Sequence, residues 1–155
     1  MLEAGALVPM IASWPGKTPA GKVSRDLVDS TDFLPTFAEL AGVKPPQKTI
    51  IDGRSLAPQI QGKKGQPRDW IFIQLARQWY VREAGWKLNQ EEKLFDMSQA
   101  PFEERLVGED TKDPAAIAAR KRLQAALAKL NPAGGILDQG DGSGRHAAKQ
   151  TKKAR

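Results

Sequence analysis

A chain of 155 residues has the length of one ordinary domain, and with 40% apolar residues it can build a core. It holds no cysteine, which excludes disulfides, thiolate metal sites and a cysteine nucleophile. The net charge of +6 is concentrated on Arg145, Lys149, Lys152, Lys153 and Arg155, an acid-free stretch, so the rest of the chain is nearly neutral and no nucleic-acid partner is expected.

Met1-Leu2-Glu3-Ala4 lacks a basic segment followed by an apolar stretch, so no export signal is read there and localisation stays open. No apolar run approaches the ~20 residues of a membrane span. Leu7 to Ser13 is a short apolar run expected to form a buried strand, with Pro9 confining it to an edge or bulge. Its backbone groups need neighbours, and few candidates exist in this chain, so the N-terminal third reads as the edge of a larger sheet. Trp14-Pro15-Gly16-Lys17 marks a turn, and residues 18–22 a loop. Asp32 is expected to cap a helix with Pro35 in its first turn and Phe33, Phe37, Leu40 and Ala41 as one apolar stripe. Gly42 ends it. A second short helix is expected from Ser55 to Gln61, capped by Ser55, with Leu56 and Ile60 facing inward.

From Asp69 the pattern becomes that of strands. Residues 70–75, 78–82, 86–88 and 93–96 are rich in aromatic and β-branched side chains and are joined by short connections, which predicts an antiparallel meander. Asp113-Pro114 opens the longest helix, running to about Leu130 with Ile117, Leu123, Leu127 and Leu130 on its apolar side. Residues 132–155 read as a disordered basic tail. Beside the tail, two regions are expected. Residues 1–66 form strand and helix pieces, and residues 67–131 form a four-stranded antiparallel sheet packed by the long helix. The class is α+β as the chain stands.

Several segments carry a family likeness. Glu3-Ala4-Gly5-Ala6-Leu7-Val8-Pro9-Met10-Ile11 followed by Trp14-Pro15-Gly16 resembles the Glu-Gly-Gly…Val-Pro…Trp-Pro-Gly stretch of the sulfatases. Asp32-Phe33-Leu34-Pro35-Thr36 closed by Leu40-Ala41-Gly42 is similar to that family's Asp-x-x-Pro-Thr helix, and Asp52-Gly53-Arg54-Ser55-Leu56 to the segment that follows it. Gly85-Trp86-Lys87-Leu88, Leu94-Phe95-Asp96-Met97 and Pro101-Phe102-Glu103 resemble its later strands and loop. These motifs come in family order over residues 3 to about 106. Ala4 stands for the first of the paired glycines, Leu7 where many members have arginine, and Ala100 for the aspartate before Pro101. The resemblance implies the C-terminal part of an alkaline-phosphatase-like α/β fold, with residues 1–66 as the edge of the core and residues 67–131 as the antiparallel subdomain.

The resemblance also implies sulfate ester hydrolysis by a formylglycine nucleophile beside a calcium ion, acting on a sulfated small molecule or glycan. Those parts are not found here. No serine begins the pentapeptide that is converted to formylglycine: Ser55-Leu56-Ala57-Pro58-Gln59 and Ser98-Gln99-Ala100-Pro101-Phe102 both lack the closing arginine. The sole histidine, His146, lies in the basic tail. No catalytic or metal-binding residue is therefore assigned, and calcium and formylglycine are expected in a catalytic portion preceding residue 1, the partner this chain would need. Glu3 and Gly5 are the positions nearest a family active site, as a pocket-rim loop, or equally a tight turn that glycine permits. Asp32 reads as a helix cap and Asp52-Gly53 as a turn. Trp79, Tyr80 and Trp86 read as sheet-face core rather than a sugar-stacking platform. The competing reading is a stand-alone, non-catalytic α+β interaction module with a basic tethering tail.

Overall fold

The computed structural model describes residues 2, 5–44, 48, 50–75, 78–130 and 132. The chain divides into two compact units, Val8–Ile71, and Phe72–Arg155 together with Met1–Leu7. The expected tail beyond residue 132 falls outside the described residues.

In the first unit the expected strand over residues 7–13 is absent: the segment belongs to no strand, and Val8 and Ile11 are exposed. The physical reason is the shortage of neighbours. A strand exists only as part of a ladder, and no described residue pairs with this run. The helical piece begins with a 3-10 turn, Ser30–Asp32, and continues as α1, Phe33–Leu40. Asp29, not Asp32, is the capping residue. Its carboxylate accepts from the Thr31 N–H at 2.8 Å, while the Asp32 carboxylate reaches back to the Asp29 N–H at 2.8 Å. This reciprocal arrangement is a capping box. Gly42 ends α1 as expected, at φ +68°, with the Gly42 N–H on the Glu39 carbonyl and the Val43 N–H on the Ala38 carbonyl. A short helix, α2, covers Ala57–Ile60, and Ser55 Oγ accepts from the Ala57 N–H at 3.1 Å.

The apolar stripe of α1 is not where its spacing predicts. Thr36 and Ala38 are buried, whereas Phe33, Leu34 and Phe37 face solvent, the two rings stacked at 6.1 Å. The helix is held by its polar side. Thr36 Oγ1 donates to the Asp32 carbonyl at 2.6 Å and accepts from the Leu56 N–H at 2.8 Å, which ties α1 to the start of α2. Asp52-Gly53 is not a turn either. A Cβ on Gly53 would sit 1.9 Å from the Thr31 carbonyl oxygen, so glycine is required because two backbone segments touch there.

The second unit contains a five-stranded sheet in sequential order: β1 (Ile71–Leu75), β2 (Gln78–Arg82), β3 (Trp86–Asn89), β4 (Leu94–Asp96) and β5 (Arg105–Val107). The first four are the expected meander. The fifth escapes sequence reading because it is only three residues long with a leading arginine. Antiparallel register places Val81 opposite Leu88, Leu88 opposite Leu94 and Leu94 opposite Val107. These four residues share one face, since opposed residues point the same way.

The long helix α3, Pro114–Leu130, packs against β2, β3 and β4. Asp113 caps it as expected, its carboxylate accepting from the Ala115 N–H at 2.9 Å. Arg122 pairs with Glu83 at 2.6 Å, and Glu83 shares its parity with Val81, so α3 covers the Val81–Leu88–Leu94 face. The buried side of α3 is Ala116, Ala119, Leu123 and Ala126, while Ile117 and Leu130 are exposed. Of the expected apolar side, Leu123 is buried and Leu127 half-buried, while Ile117 and Leu130 lie outside the contact. Alanine fills three of the four buried positions.

Candidate functional site

Two buried polar clusters stand out, one in each unit. In the first, the Asp32 carboxylate is fully buried and accepts from every side. Its donors are the Asp29 N–H at 2.8 Å, the Arg54 N–H at 2.7 Å and Arg68, whose Nε lies 2.9 Å from both carboxylate oxygens and whose Nη2 makes a further bond. The same Nη2 also reaches the Thr31 hydroxyl at 3.0 Å and the Asp52 carbonyl at 3.0 Å. Burial alone would push the Asp32 carboxyl up, but the Arg68 hydrogen bond and the two backbone N–H groups outweigh it and hold it below the usual carboxylate range. The bond to Asp32 in turn raises Arg68. Such a carboxylate has no lone pair to spare for a metal or a substrate proton. Its chemistry is that of a latch, joining the start of α1 to the Asp52–Arg54 segment and to Arg68.

The second cluster lies on the sheet face opposite α3. Register places Arg82, Lys87, Phe95 and Leu106 on that face, and Tyr80 shares the parity of Arg82. Lys87 is buried and paired with the buried Glu104, and its ammonium sits 5.1 Å from the Tyr80 ring centre and 4.7 Å from that of Phe95. A cation held between two ring faces gains from both quadrupoles. Burial, with the negative Glu104 nearby, pushes the Tyr80 hydroxyl up to about 12, and among the described residues it has no hydrogen-bond partner. Burial lowers Arg82, against the opposing pull of Glu104. Sequence reading placed Tyr80 in the core, where it is, but missed Lys87 and Glu104. A lysine inside a strand of alternating pattern carries no local sign that its partner lies in a later loop.

Glu3 and His146 lie outside the described residues. Gly5 is described and exposed; its N–H bonds the Leu2 carbonyl at 3.2 Å, and a Cβ there would meet nothing within 4 Å. Trp79 and Trp86 are half-buried on the sheet. Ser55 is taken up by the α2 start, and Ser98 follows β4 with its N–H on the Asp96 carboxylate at 2.8 Å. A cleft of ≈ 560 Å³ is lined by Glu39, Arg54, Ser55, Pro58, Lys64 and Gln66, and its Ser55 Oγ accepts from the Ala57 N–H. Among the described residues no three histidine, aspartate or glutamate side chains converge as a group that could hold a metal ion. No helix among them is long and apolar enough to cross a membrane.

Residues 1–132 match the family described as N-sulphoglucosamine sulphohydrolase, C-terminal. The chain belongs to the sulfatase family, as its C-terminal portion. Similar proteins include arylsulfatase D of Homo sapiens, 35% identical over 95 residues that make up 56% of this chain and 16% of that protein. N-acetylgalactosamine-6-sulfatase of Canis lupus familiaris is 45% identical over 60 residues, 39% of this chain and 12% of the relative. Steryl-sulfatase of Homo sapiens is 41% identical over 71 residues, 46% of this chain and 12% of the relative. The sulfatase chain thus matches only a small part of the length of these relatives. Both buried clusters lie within the matched family region, and in this sulfatase portion they serve the scaffold.

Proposed function

We propose that this chain is the non-catalytic C-terminal portion of a sulfate ester hydrolase and acts only together with a catalytic portion that supplies the formylglycine nucleophile and the calcium ion. The observation that supports this reading is the combination of family membership with the residues at hand. Every buried carboxylate described above is consumed by an ion pair, and among the described residues the cleft's serine, Ser55, bonds the Ala57 N–H rather than a base. The relatives' names include N-acetylgalactosamine-6-sulfatase, steryl-sulfatase and arylsulfatase, which supports a sulfated small molecule or glycan as the substrate class. Glu3 and Gly5 are proposed to border the pocket of the assembled enzyme. The exposed apolar side chains of residues 8–71 favour this reading over a stand-alone interaction module, which would be expected to bury them.

The test is hydrolysis of 4-methylumbelliferyl sulfate in the presence of calcium. The full chain alone is expected to show none. A chimera of canine N-acetylgalactosamine-6-sulfatase, with this chain in place of its own homologous stretch, is expected to turn the ester over. Hydrolysis by the purified chain alone would overturn the proposal.

A further inference from the structure

Small-molecule pockets are ordinarily lined by apolar side chains with a few polar groups among them. The cleft formed by the end of α1, α2 and the segments flanking α2 is the opposite: its only apolar side chain is that of Pro58, and Glu39, Arg54, Ser55, Lys64 and Gln66 bring charges, a hydroxyl and an amide. Its ≈ 560 Å³ falls within the ~300–1,000 Å³ of small-molecule sites and exceeds what a lone tetrahedral anion fills. Arg54 is pinned at two points, by its backbone N–H on the Asp32 carboxylate at 2.7 Å and by Nη1 on the Pro67 carbonyl at 2.9 Å. Among the described residues its Nε and Nη2 make no bond, and neither Lys64 nor Glu39 belongs to an ion pair. A second observation concerns the wall of the cleft. Both amide atoms of Gln59, Oε1 and Nε2, are buried without a hydrogen-bond partner among the described residues. They lie against Gly65, itself a lining residue, where a Cβ would meet them at 2.0 and 2.4 Å. A buried amide without partners is costly, and glycine at this position leaves room for it.

Resting on the substrate class proposed above, we infer that this cleft binds one sulfated sugar unit of a glycan. The sulfate monoester lies on the Arg54 guanidinium and the Lys64 ammonium, two cations held ready without a counter-charge of their own. The sugar hydroxyls bond Glu39, Ser55 and Gln66, and the Gln59 amide offers both an acceptor and donors beside Gly65. Two cations against one acid favour a singly charged ligand rich in hydroxyls over free sulfate, whose double charge would face the Glu39 carboxylate. Ser55 Oγ bonds the Ala57 N–H at 3.1 Å rather than a base, and a serine without an activating base leaves the ester intact.

The test titrates the full chain with galactose 6-sulfate, galactose and inorganic sulfate, read by calorimetry and by amide chemical shifts. Galactose 6-sulfate is expected to bind at least tenfold more tightly than either of the other two, to shift amides within residues 54–66, and to weaken several-fold on adding sodium chloride. K64Q is expected to weaken it several-fold and R54Q/K64Q at least tenfold, with circular dichroism unchanged. Lys64 makes no bond within the described residues, so K64Q decides the matter even if the double variant fails to fold. Inorganic sulfate that binds as tightly as the sulfated sugar overturns the proposal in favour of a plain anion site. No binding, or binding that K64Q leaves unchanged, overturns it as well. The parent chimera's hydrolysis of 4-methylumbelliferyl sulfate judges the functional reading separately. An active chimera beside a chain that binds no sulfated sugar leaves that reading standing and sinks the cleft; an inactive chimera sinks the reading, and the titration alone then decides the cleft.

Discussion

Asp32 shows how one residue can be legible in type and illegible in role. A carboxylate before an apolar-periodic segment reads as a helix cap, and that is where local spacing stops. Its main partner, Arg68, is 36 residues away, and no periodicity connects them. The buried bidentate pair predicts that Asp32→Asn costs about 3 kcal/mol or more, because it leaves the guanidinium without its counter-charge. Urea unfolding at neutral pH measures this. The pH dependence follows from the direction of the shift. A carboxyl held below its ordinary value stabilises the fold fully above the unfolded pKa of ~4 and loses that contribution as pH falls through the folded value. Between pH 5 and 3 the parent chain is therefore expected to lose more stability than the Asp32→Asn variant, and equal losses would count against the latch. Lys87 and Glu104 call for a different experiment. Either K87M or E104L alone leaves a buried charge and is expected to cost about 3 kcal/mol or more, whereas the double substitution costs clearly less than the two together. A double-mutant cycle by thermal or urea unfolding reads the coupling.

At the scale of elements, the long helix and the meander were legible because their signals are local. Asp113-Pro114 opens α3 and Asn131-Pro132 follows it, and aromatic and β-branched residues recur through β1 to β4. What escaped was orientation. An apolar residue every third or fourth position defines several adjacent stripes on α3, and only the sheet decides which one it meets. Closeness won: Ala116, Ala119 and Ala126 flank Leu123 in the contact, and Ile117 is left outside. Leu123→Ala is accordingly expected to cost about 2–5 kcal/mol, and Ile117→Ala less than about 0.5 kcal/mol, as for an exposed side chain. The reverse order in denaturant melts would place Ile117 rather than Leu123 in the contact. The run over residues 7–13 failed as a strand for the complementary reason. Its residues have strand character, but a ladder needs a second strand, and propensity cannot provide one.

For the whole molecule, the two units differ in how they are held. The sheet and α3 enclose Val81, Leu88, Leu94 and Leu123 at nearly zero exposure, while among the described residues of 8–71 the buried apolar ones are Ala38, Leu56 and Ala57, and this unit depends on the Asp32–Arg68 latch. No backbone N–H of residues 19–28 donates to the backbone carbonyl of a described residue. Native-state hydrogen exchange is therefore expected to show the slowest amides in β3 and α3 and the fastest in residues 19–28. Slow exchange throughout residues 19–28 would contradict this division. The sequence by itself determined the family, the order of the helices and of four strands, and the absence of cysteine, because these rest on residue identity and on spacing within a few positions. The tertiary structure alone decided that Asp32 is a latch, that Lys87 lies between Tyr80 and Phe95, that the stripe of α1 faces other than its periodicity suggests, and that α3 meets the sheet through Leu123 and alanines and leaves Ile117 out. Those features depend on partners tens of residues apart, and the energy of a buried charge or a close helix–sheet contact exists only once the chain has brought them together.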